Sequence, residues 1–109
     1  MNFNVLTTKL FERKLKQLVK KYNSISEDLE ALEKELVQNP TLGIPLGKDC
    51  YKIRMAITAK GQGKRGGARI ITYIRVLKNT VYLMDIYDKS EQENISDKEI
   101  RNVIDTLVE

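Results

Sequence analysis

Histidine is absent from this chain of 109 residues, tryptophan is absent, and cysteine occurs once, as Cys50. Without histidine and with a single cysteine, the usual nitrogen and sulfur ligands of a zinc site are missing, and a disulfide within the chain is excluded. The lack of histidine also removes the side chain that most often transfers protons at neutral pH. Any catalysis must therefore use lysine, arginine, tyrosine or carboxylate groups, and we expect neither a metal nor another cofactor.

Long apolar segments are missing as well. The sequence contains no apolar run of about 18 residues and no signal-peptide pattern at its start. Its length and its hydrophobic content of 41% are typical of one folded domain with a modest core. We therefore expect a single domain over residues 1–109, located in the cytoplasm.

Positive charge is concentrated in the middle of the chain. The segment 48–75 contains eight lysines and arginines but only one acidic residue, Asp49, and so carries a charge of +7. The whole chain carries +4, from 19 basic and 15 acidic residues, so that the remainder sums to −3. Such a focused positive potential favours binding to a phosphate backbone.

The first 38 residues predict a short strand at 2–6 and two helices. Thr7 or Thr8 can cap the first helix, and Ser24 with Glu27 has the spacing of a capping box for the second. The predicted apolar faces consist of Phe11, Leu15, Leu18, Val19 and Tyr22, and of Ile25, Leu29, Leu32 and Leu36. Because the first helix is basic and the second acidic, we expect an antiparallel helical hairpin with complementary charges.

The second half predicts a loop rich in glycine and proline, three strands and a C-terminal helix. The strands are expected at 50–57, 68–76 and 80–87. Ser96 and Glu99 form a second capping box, and the last helix should turn Ile100, Val103, Ile104 and Leu107 inward. The order β-α-α-β-β-β-α predicts an α+β domain with its helices on one face of a small antiparallel sheet.

A glycine-rich basic loop, Lys60-Gly-Gln-Gly-Lys-Arg-Gly-Gly67, separates the first two of these strands. Its glycines allow backbone N–H groups to approach a phosphate, although the ending of a Walker loop is absent. Lys52 and Arg54 leave one face of the preceding strand, and Arg69 can join them if the strands pair. Alternatively, these cations only solvate an outer face and the loop is a flexible hairpin tip. The charge density favours nucleic-acid binding.

These motifs resemble the RelE/ParE superfamily of toxins from bacterial toxin–antitoxin pairs. The resemblance lies in Tyr51-Lys-Ile-Arg54, in the loop through Arg69-Ile-Ile, and in Ile86-Tyr-Asp-Lys89-Ser-Glu91, and it covers nearly the whole chain. The GKRGG-x-R loop is most similar to HigB-like members of the RelE branch. The resemblance implies a metal-independent endoribonuclease that enters the A site of the 30S ribosomal subunit, cleaves mRNA and is neutralised by a cognate antitoxin.

In that reaction a ribose 2′-OH attacks the adjacent phosphate, and clustered cations can stabilise the charge of the transition state. From the resemblance, Lys52 is the candidate base, Arg54 and Arg69 are phosphate clamps, and Lys89 can reach the same site. The candidate RNA-contacting residues are Lys60, Lys64, Arg65, Arg75, Tyr73 and Tyr87.

The chain departs from the RelE pattern at two places. Well-known members have an arginine directly after the equivalent of Lys89, and a tyrosine a few residues later for stacking and proton transfer. Here Ser90 follows Lys89, and Ile95 or Ser96 takes the place of the tyrosine. The general acid is therefore unassigned. Two alternatives stay open, namely a ParE-like inhibitor of DNA gyrase and a degenerate toxin that binds RNA or an antitoxin without catalysis.

Overall fold

The computed structural model describes residues 2–92 and 94–107. In chain order, the elements are β1 (Asn4–Thr7), α1 (Lys9–Lys21), α2 (Ile25–Gln38), β2 (Ile44–Gly47), β3 (Cys50–Met55), β4 (Ala68–Arg75), β5 (Thr80–Asp88) and α3 (Asp97–Leu107). The predicted α+β class, helical hairpin and C-terminal helix are confirmed. None of the described helices is long and apolar enough to cross a lipid bilayer.

The sheet has the strand order β1-β5-β4-β3-β2 and differs from the prediction in two details. First, β1 pairs in parallel with β5, with Val5 opposite Val81, so the sheet is mixed. Second, the segment predicted as a loop contains β2, which pairs with the start of β3. Proline is tolerated in β2 because this strand lies at the edge of the sheet and needs only one row of ladder hydrogen bonds.

Local signals at the helix starts were reliable in two places and misleading in a third. The Thr8 hydroxyl accepts a hydrogen bond from the Phe11 N–H, and the capping box of Ser96 and Glu99 is present. The capping box predicted at Ser24 is wrong, because the Ser24 hydroxyl instead donates to Asp28 and accepts from the Ala59 N–H. Tertiary contacts with the glycine-rich loop therefore replace the local cap.

Helices α1 and α2 cover one face of the sheet, and we call the apolar cluster between them the hairpin core. It contains Phe11, Leu18, Ile25, Leu29, Leu32 and Leu36 of the helices, and Ile53, Met55, Ile70, Leu83 and Ile86 of the sheet. Val19, predicted on the apolar face, is instead 38% exposed. Fully burying each large apolar side chain stabilises the fold by roughly 1.5–3 kcal/mol.

The prediction that all helices share one face is wrong, because α3 covers the opposite face. Its cluster, here called the C-terminal core, contains Cys50, Ile71, Met84, Tyr87, Ile95, Ile100 and Val103. Strand β4 requires cover on both sides, since the consecutive residues Ile70 and Ile71 are both fully buried. The basic residues Lys52, Arg54 and Arg69 lie on this same face of the sheet.

The expected charge pairing between the two hairpin helices is also not found among the described residues. The ion pairs of α1 join Lys14 to Asp85 of β5 and Lys21 to Glu91, which follows that strand. The basic face of α1 therefore contributes to holding the end of β5 in place.

Candidate functional site

A row of three side chains crosses the face of the sheet that α3 partly covers. The strand register places Arg54 of β3 opposite Arg69 of β4, and Arg69 opposite Tyr87 of β5. Directly opposite residues have their Cβ atoms about 4.5–5.5 Å apart, and like charges in such a pair destabilise a sheet. Lys52 leaves β3 on the same face, two residues before Arg54. We call these four residues the cationic row.

The guanidinium of Arg69 is the most buried cation of the row, because this residue is only 3% exposed. Its Nη1 donates to the carbonyl oxygens of Lys64 at 2.8 Å and Ala68 at 3.1 Å, and its Nη2 donates to that of Arg65 at 3.2 Å. Burial lowers the pKa of Arg69, the charge of Arg54 lowers it further, and Tyr87 opposes the change. Arg69 thus fixes the end of the glycine-rich loop.

The charge of the cationic row is not neutralised within the described residues. The four ion pairs found there involve Lys14, Lys21, Lys34 and Lys60, and none of these belongs to the row. Lys52 has a polar contact with the Asn94 side chain at 3.4 Å, and Arg54 is exposed. Uncompensated cations held close together create a local positive potential that attracts an anionic group such as a phosphate.

The glycine-rich loop is anchored at both ends. Two residues before its start, the Asp28 carboxylate accepts hydrogen bonds from the Thr58 hydroxyl and the Thr58 N–H, which ties the segment leading into the loop to α2. At its end, the Gly67 carbonyl accepts from the Lys89 N–H at 3.1 Å. This bond places Lys89 beside the loop, and the tip residues Lys64 and Arg65 are exposed. The loop is therefore attached to α2 and to the end of β5 at its two ends, and the flexible hairpin tip stays an alternative for the residues between them.

Lys60 points inward rather than toward a ligand. Its ammonium lies 2.9 Å from Oδ1 of Asp88, with the two side chains 9% and 0% exposed. Asp88 also accepts hydrogen bonds from the Tyr22 hydroxyl and from the N–H and hydroxyl of Ser90. Burial raises the pKa of Asp88, but the hydrogen bonds from Tyr22, Lys60 and Ser90 outweigh it and hold this pKa well below its usual range. Ser90, which departs from the RelE pattern, completes this buried site.

Two of the predicted RNA-contacting residues lie away from the row. Tyr73 is four residues and Arg75 six residues beyond Arg69 along β4, which corresponds to roughly 13 and 20 Å at the rise of a strand. The ring of Tyr73 stacks on Tyr82, with centroids 6.3 Å apart. The structure does not bring these two residues to the cationic row, and their contact with RNA stays a prediction.

Tyr87 reaches the cationic row because β5 contains a bulge. Ile71 lies opposite Asp85 but Thr72 lies opposite Leu83, so one extra residue, Met84, is inserted. Strict alternation would put Met84 and Tyr87 on opposite faces, whereas both pack in the C-terminal core. The one sequence signal for this break is the acidic Asp85 inside an apolar strand, which reaches Lys14 of α1 at 2.6 Å.

A cleft of about 400 Å³ opens beside the row, between α2 and the edge of β3. Apolar side chains from α2 and the following loop, Leu32 and Leu42, line it together with Asp28, and Arg54 and Lys64 also border it. Strand β2 pairs with Cys50, Tyr51 and Lys52, and among the described residues no strand pairs with this edge of β3 from Ile53 onward. The cationic row can therefore be approached from the side of the glycine-rich loop.

Comparisons with known proteins agree with this architecture. The chain resembles two solved structures of the E. coli RelE toxin, a double mutant in the free state and the isolated toxin. Both are 17% identical to this chain. The match to the double mutant covers 99% of this chain and 100% of the mutant, with a TM-score of 0.63. The match to the isolated toxin covers 97% of this chain and 99% of that toxin, with a TM-score of 0.57. At this identity the likeness shows the fold alone. A family model, however, described as the RelE toxin of the RelE/RelB toxin–antitoxin system, matches residues 3–106. The chain therefore belongs to the RelE toxin family.

Proposed function

We propose that this toxin is an endoribonuclease that cleaves mRNA in the A site of the 30S ribosomal subunit and thereby inhibits translation in the cytoplasm. The observation that carries the proposal is the cationic row, in which Lys52, Arg54 and Arg69 share one face of the sheet without a carboxylate partner among the described residues. A site with these charges, open on the side of a basic loop, suits a polyanionic substrate.

In this mechanism the 2′-OH of a ribose attacks the adjacent phosphorus, and negative charge builds up on the phosphate oxygens. Arg54 is exposed and can contact the phosphate directly. The guanidinium of Arg69 already donates to the loop carbonyls of Lys64 and Arg65 and to the carbonyl of Ala68, so its proposed part is to hold the loop and to add positive charge to the site. Such fixed charges stabilise the transition state because they need no reorganisation when the reaction occurs. Lys52 is proposed as the base.

The exposed tip residues Lys64 and Arg65 are proposed to grip the RNA backbone, and Lys89 lies next to them through its bond to Gly67. Lys60 is better explained as the buried partner of Asp88, so we omit it from the RNA-contacting set. Membership in the RelE family implies an antitoxin partner. An antitoxin that covers the unpaired edge of β3 and the cationic row would block access of RNA to the site.

The proposal is tested by inducing expression of the wild type, of Arg54→Gln and of Lys52→Gln, while growth is followed and transcript ends are mapped. Both substitutions change partly or fully exposed side chains, so the fold should be preserved. Lys78→Gln, at the far hairpin of the same sheet, is the control. We expect new mRNA 5′ ends inside translated regions for the wild type and the control, and a loss of about 10²–10³-fold in cleavage for the other two. Growth arrest with intact transcripts would refute the nuclease and indicate another target, such as DNA gyrase.

A further inference from the structure

The hydroxyl of Tyr87 is buried without a hydrogen-bond partner among the described residues. The residue is 4% exposed, and it lies in the C-terminal core, where phenylalanine would fill the same space. Buried polar groups are nearly always paired, so an unpaired hydroxyl calls for an explanation. The other such hydroxyl belongs to Thr72 of β4, which leaves the sheet on the same face as Ile70, the face of the hairpin core and not that of the cationic row.

The position of Tyr87 in the sheet supplies the explanation. Tyr87 lies opposite Arg69, and Arg69 lies opposite Arg54, so the phenol ends the row on β5 while Lys52 lies on β3. Neighbouring strands are about 4.8 Å apart, which puts β3 and β5 on either side of Arg69 at a separation of roughly 10 Å. In-line displacement at phosphorus requires the attacking and the leaving oxygen on opposite sides. A phosphate above Arg69 would therefore have a base on one side and the phenol on the other.

Helix α3 covers the phenol through apolar contacts, and the one side-chain contact with the sheet near its start, among the described residues, joins Lys52 to Asn94 before the helix begins. Within the described residues, the side-chain hydrogen bonds of α3 and its cap are local, and contact with the sheet is made by Ile95, Ile100 and Val103. The charged groups around Tyr87 are Asp85 of β5, Arg69 of β4 and Glu99 of α3. Burial raises the pKa of Tyr87, Asp85 and Glu99 raise it further, and Arg69 opposes them. The phenol is thus protonated at neutral pH and able to donate.

We propose that Tyr87 is the proton donor of the site, which α3 uncovers when RNA occupies the cationic row; this inference rests on the proposed nuclease function. The O2′–P bond forms as the P–O5′ bond breaks, and the electron pair of that bond goes to O5′, which takes the phenolic proton. The 2′-OH proton goes to the base, proposed above as Lys52. The products are a 2′,3′-cyclic phosphate and a free 5′-OH, and water returns a proton from the base to the phenolate.

The test uses the full chain, ribosomes and an mRNA cleaved by the wild type, prepared with either oxygen or sulfur at the 5′-bridging position of the scissile phosphate. A thiolate leaves without protonation, so sulfur makes a proton donor unnecessary. Tyr87→Phe removes only the hydroxyl, and Tyr82→Phe does the same on β5 outside the row. We expect Tyr87→Phe to cleave the oxygen substrate about 10²–10⁴-fold more slowly than the wild type. On the sulfur substrate it should cleave within a few-fold of the wild type. Tyr82→Phe should match the wild type on both.

Each other result has a defined meaning. Wild-type rates for Tyr87→Phe on the oxygen substrate would overturn the inference and leave the nuclease intact. A loss of equal size on both substrates would also overturn it, because the hydroxyl would then act on binding or folding. A wild type that leaves mRNA whole on ribosomes would overturn the proposed function and, with it, this inference. Urea unfolding of Tyr87→Phe at or above the wild-type midpoint would verify that the fold is unchanged.

Discussion

Replacing Asp88 by asparagine should loosen the glycine-rich loop while leaving the sheet in place. Oδ1 of Asp88 accepts from the Lys60 ammonium at 2.9 Å and from the Ser90 N–H and hydroxyl, and Oδ2 accepts from the Tyr22 hydroxyl at 2.6 Å. The carboxylate therefore joins the end of α1, the loop and the turn after β5. The asparagine side chain has nearly the same volume, so the main change is the loss of the negative charge.

The expected cost follows from burial and from what asparagine can still do. Removing one partner of a buried ion pair costs about 3–5 kcal/mol, because the other charge is left uncompensated. The amide oxygen of asparagine can still accept from Lys60, and Lys60 lies in a loop that can carry it toward water. We therefore expect the free energy of unfolding at pH 7 to fall by about 2–3 kcal/mol.

The low pKa of Asp88 also predicts how the difference in free energy of unfolding between the wild type and Asp88→Asn changes with pH. Because the pKa of Asp88 is lower in the folded than in the unfolded state, its contribution is complete above the unfolded value of about 3.9 and is lost as the pH falls below it. The difference between wild type and Asp88→Asn should therefore shrink by about 1 kcal/mol between pH 5 and pH 3. All other carboxylates are common to both proteins and cancel from this difference.

Urea unfolding followed by circular dichroism at pH 7, 5 and 3 measures these free energies. Asp105→Asn, a change at an exposed aspartate of α3, is the matched control and should lie within about 0.5 kcal/mol of the wild type. A cost below about 1 kcal/mol at pH 7 for Asp88→Asn, or a difference that does not change with pH, would refute the account of the buried site.

Three further substitutions test the backbone. Lys48 and Asp49, in the turn between β2 and β3, have positive φ angles of 55° and 63°. Because glycine adopts such angles without strain, Asp49→Gly should raise the free energy of unfolding, measured by urea titration, by about 1 kcal/mol. A decrease would contradict the strain at this turn. A Cβ on Gly67 would lie 2.1 Å from the Met55 carbonyl oxygen, whereas Gly61 has open space and a φ of +69°. Gly67→Ala should therefore lower the free energy of unfolding by about 1–3 kcal/mol, and Gly61→Ala should lower it by about 1 kcal/mol. A larger loss for Gly61→Ala than for Gly67→Ala would contradict the close contact at Gly67.

Hydrophobic periodicity was sufficient to predict which residues are buried in the elements that alternate regularly between two faces. All four apolar positions predicted for α2 are buried, and the two faces of β3 and β4 divide as alternation requires. It could not predict which side α3 covers, because the consecutive isoleucines of β4 show only that both faces need cover. Nor could it place Tyr87, since a bulge at Met84 changes the face of every later residue in the strand.

Charge patterns predicted that Lys52, Arg54 and Arg69 lie together on the sheet but not what each basic residue contacts. Lys60 and Lys64 are equivalent in the sequence as lysines beside glycines, yet one is paired with Asp88 and the other is exposed. The difference arises from Asp88, which is 28 residues away from Lys60 along the chain. The sequence likewise predicts Arg69 as a phosphate clamp, but its guanidinium also binds the loop carbonyls of Lys64 and Arg65 and the carbonyl of Ala68, which no motif predicts. Long-range tertiary contacts decide these roles.

The parallel pairing of β1 with β5 has a consequence for the order in which the molecule forms. Val5 meets Val81 only after the intervening chain has been synthesised, and closing so long a loop costs entropy before any contact compensates for it. The cationic row likewise draws on residues from 52 to 87. A nascent chain from which β5 has not yet emerged therefore lacks both the complete sheet and the complete cationic row. An antitoxin that recognises the folded sheet can therefore bind only after β5 has joined it.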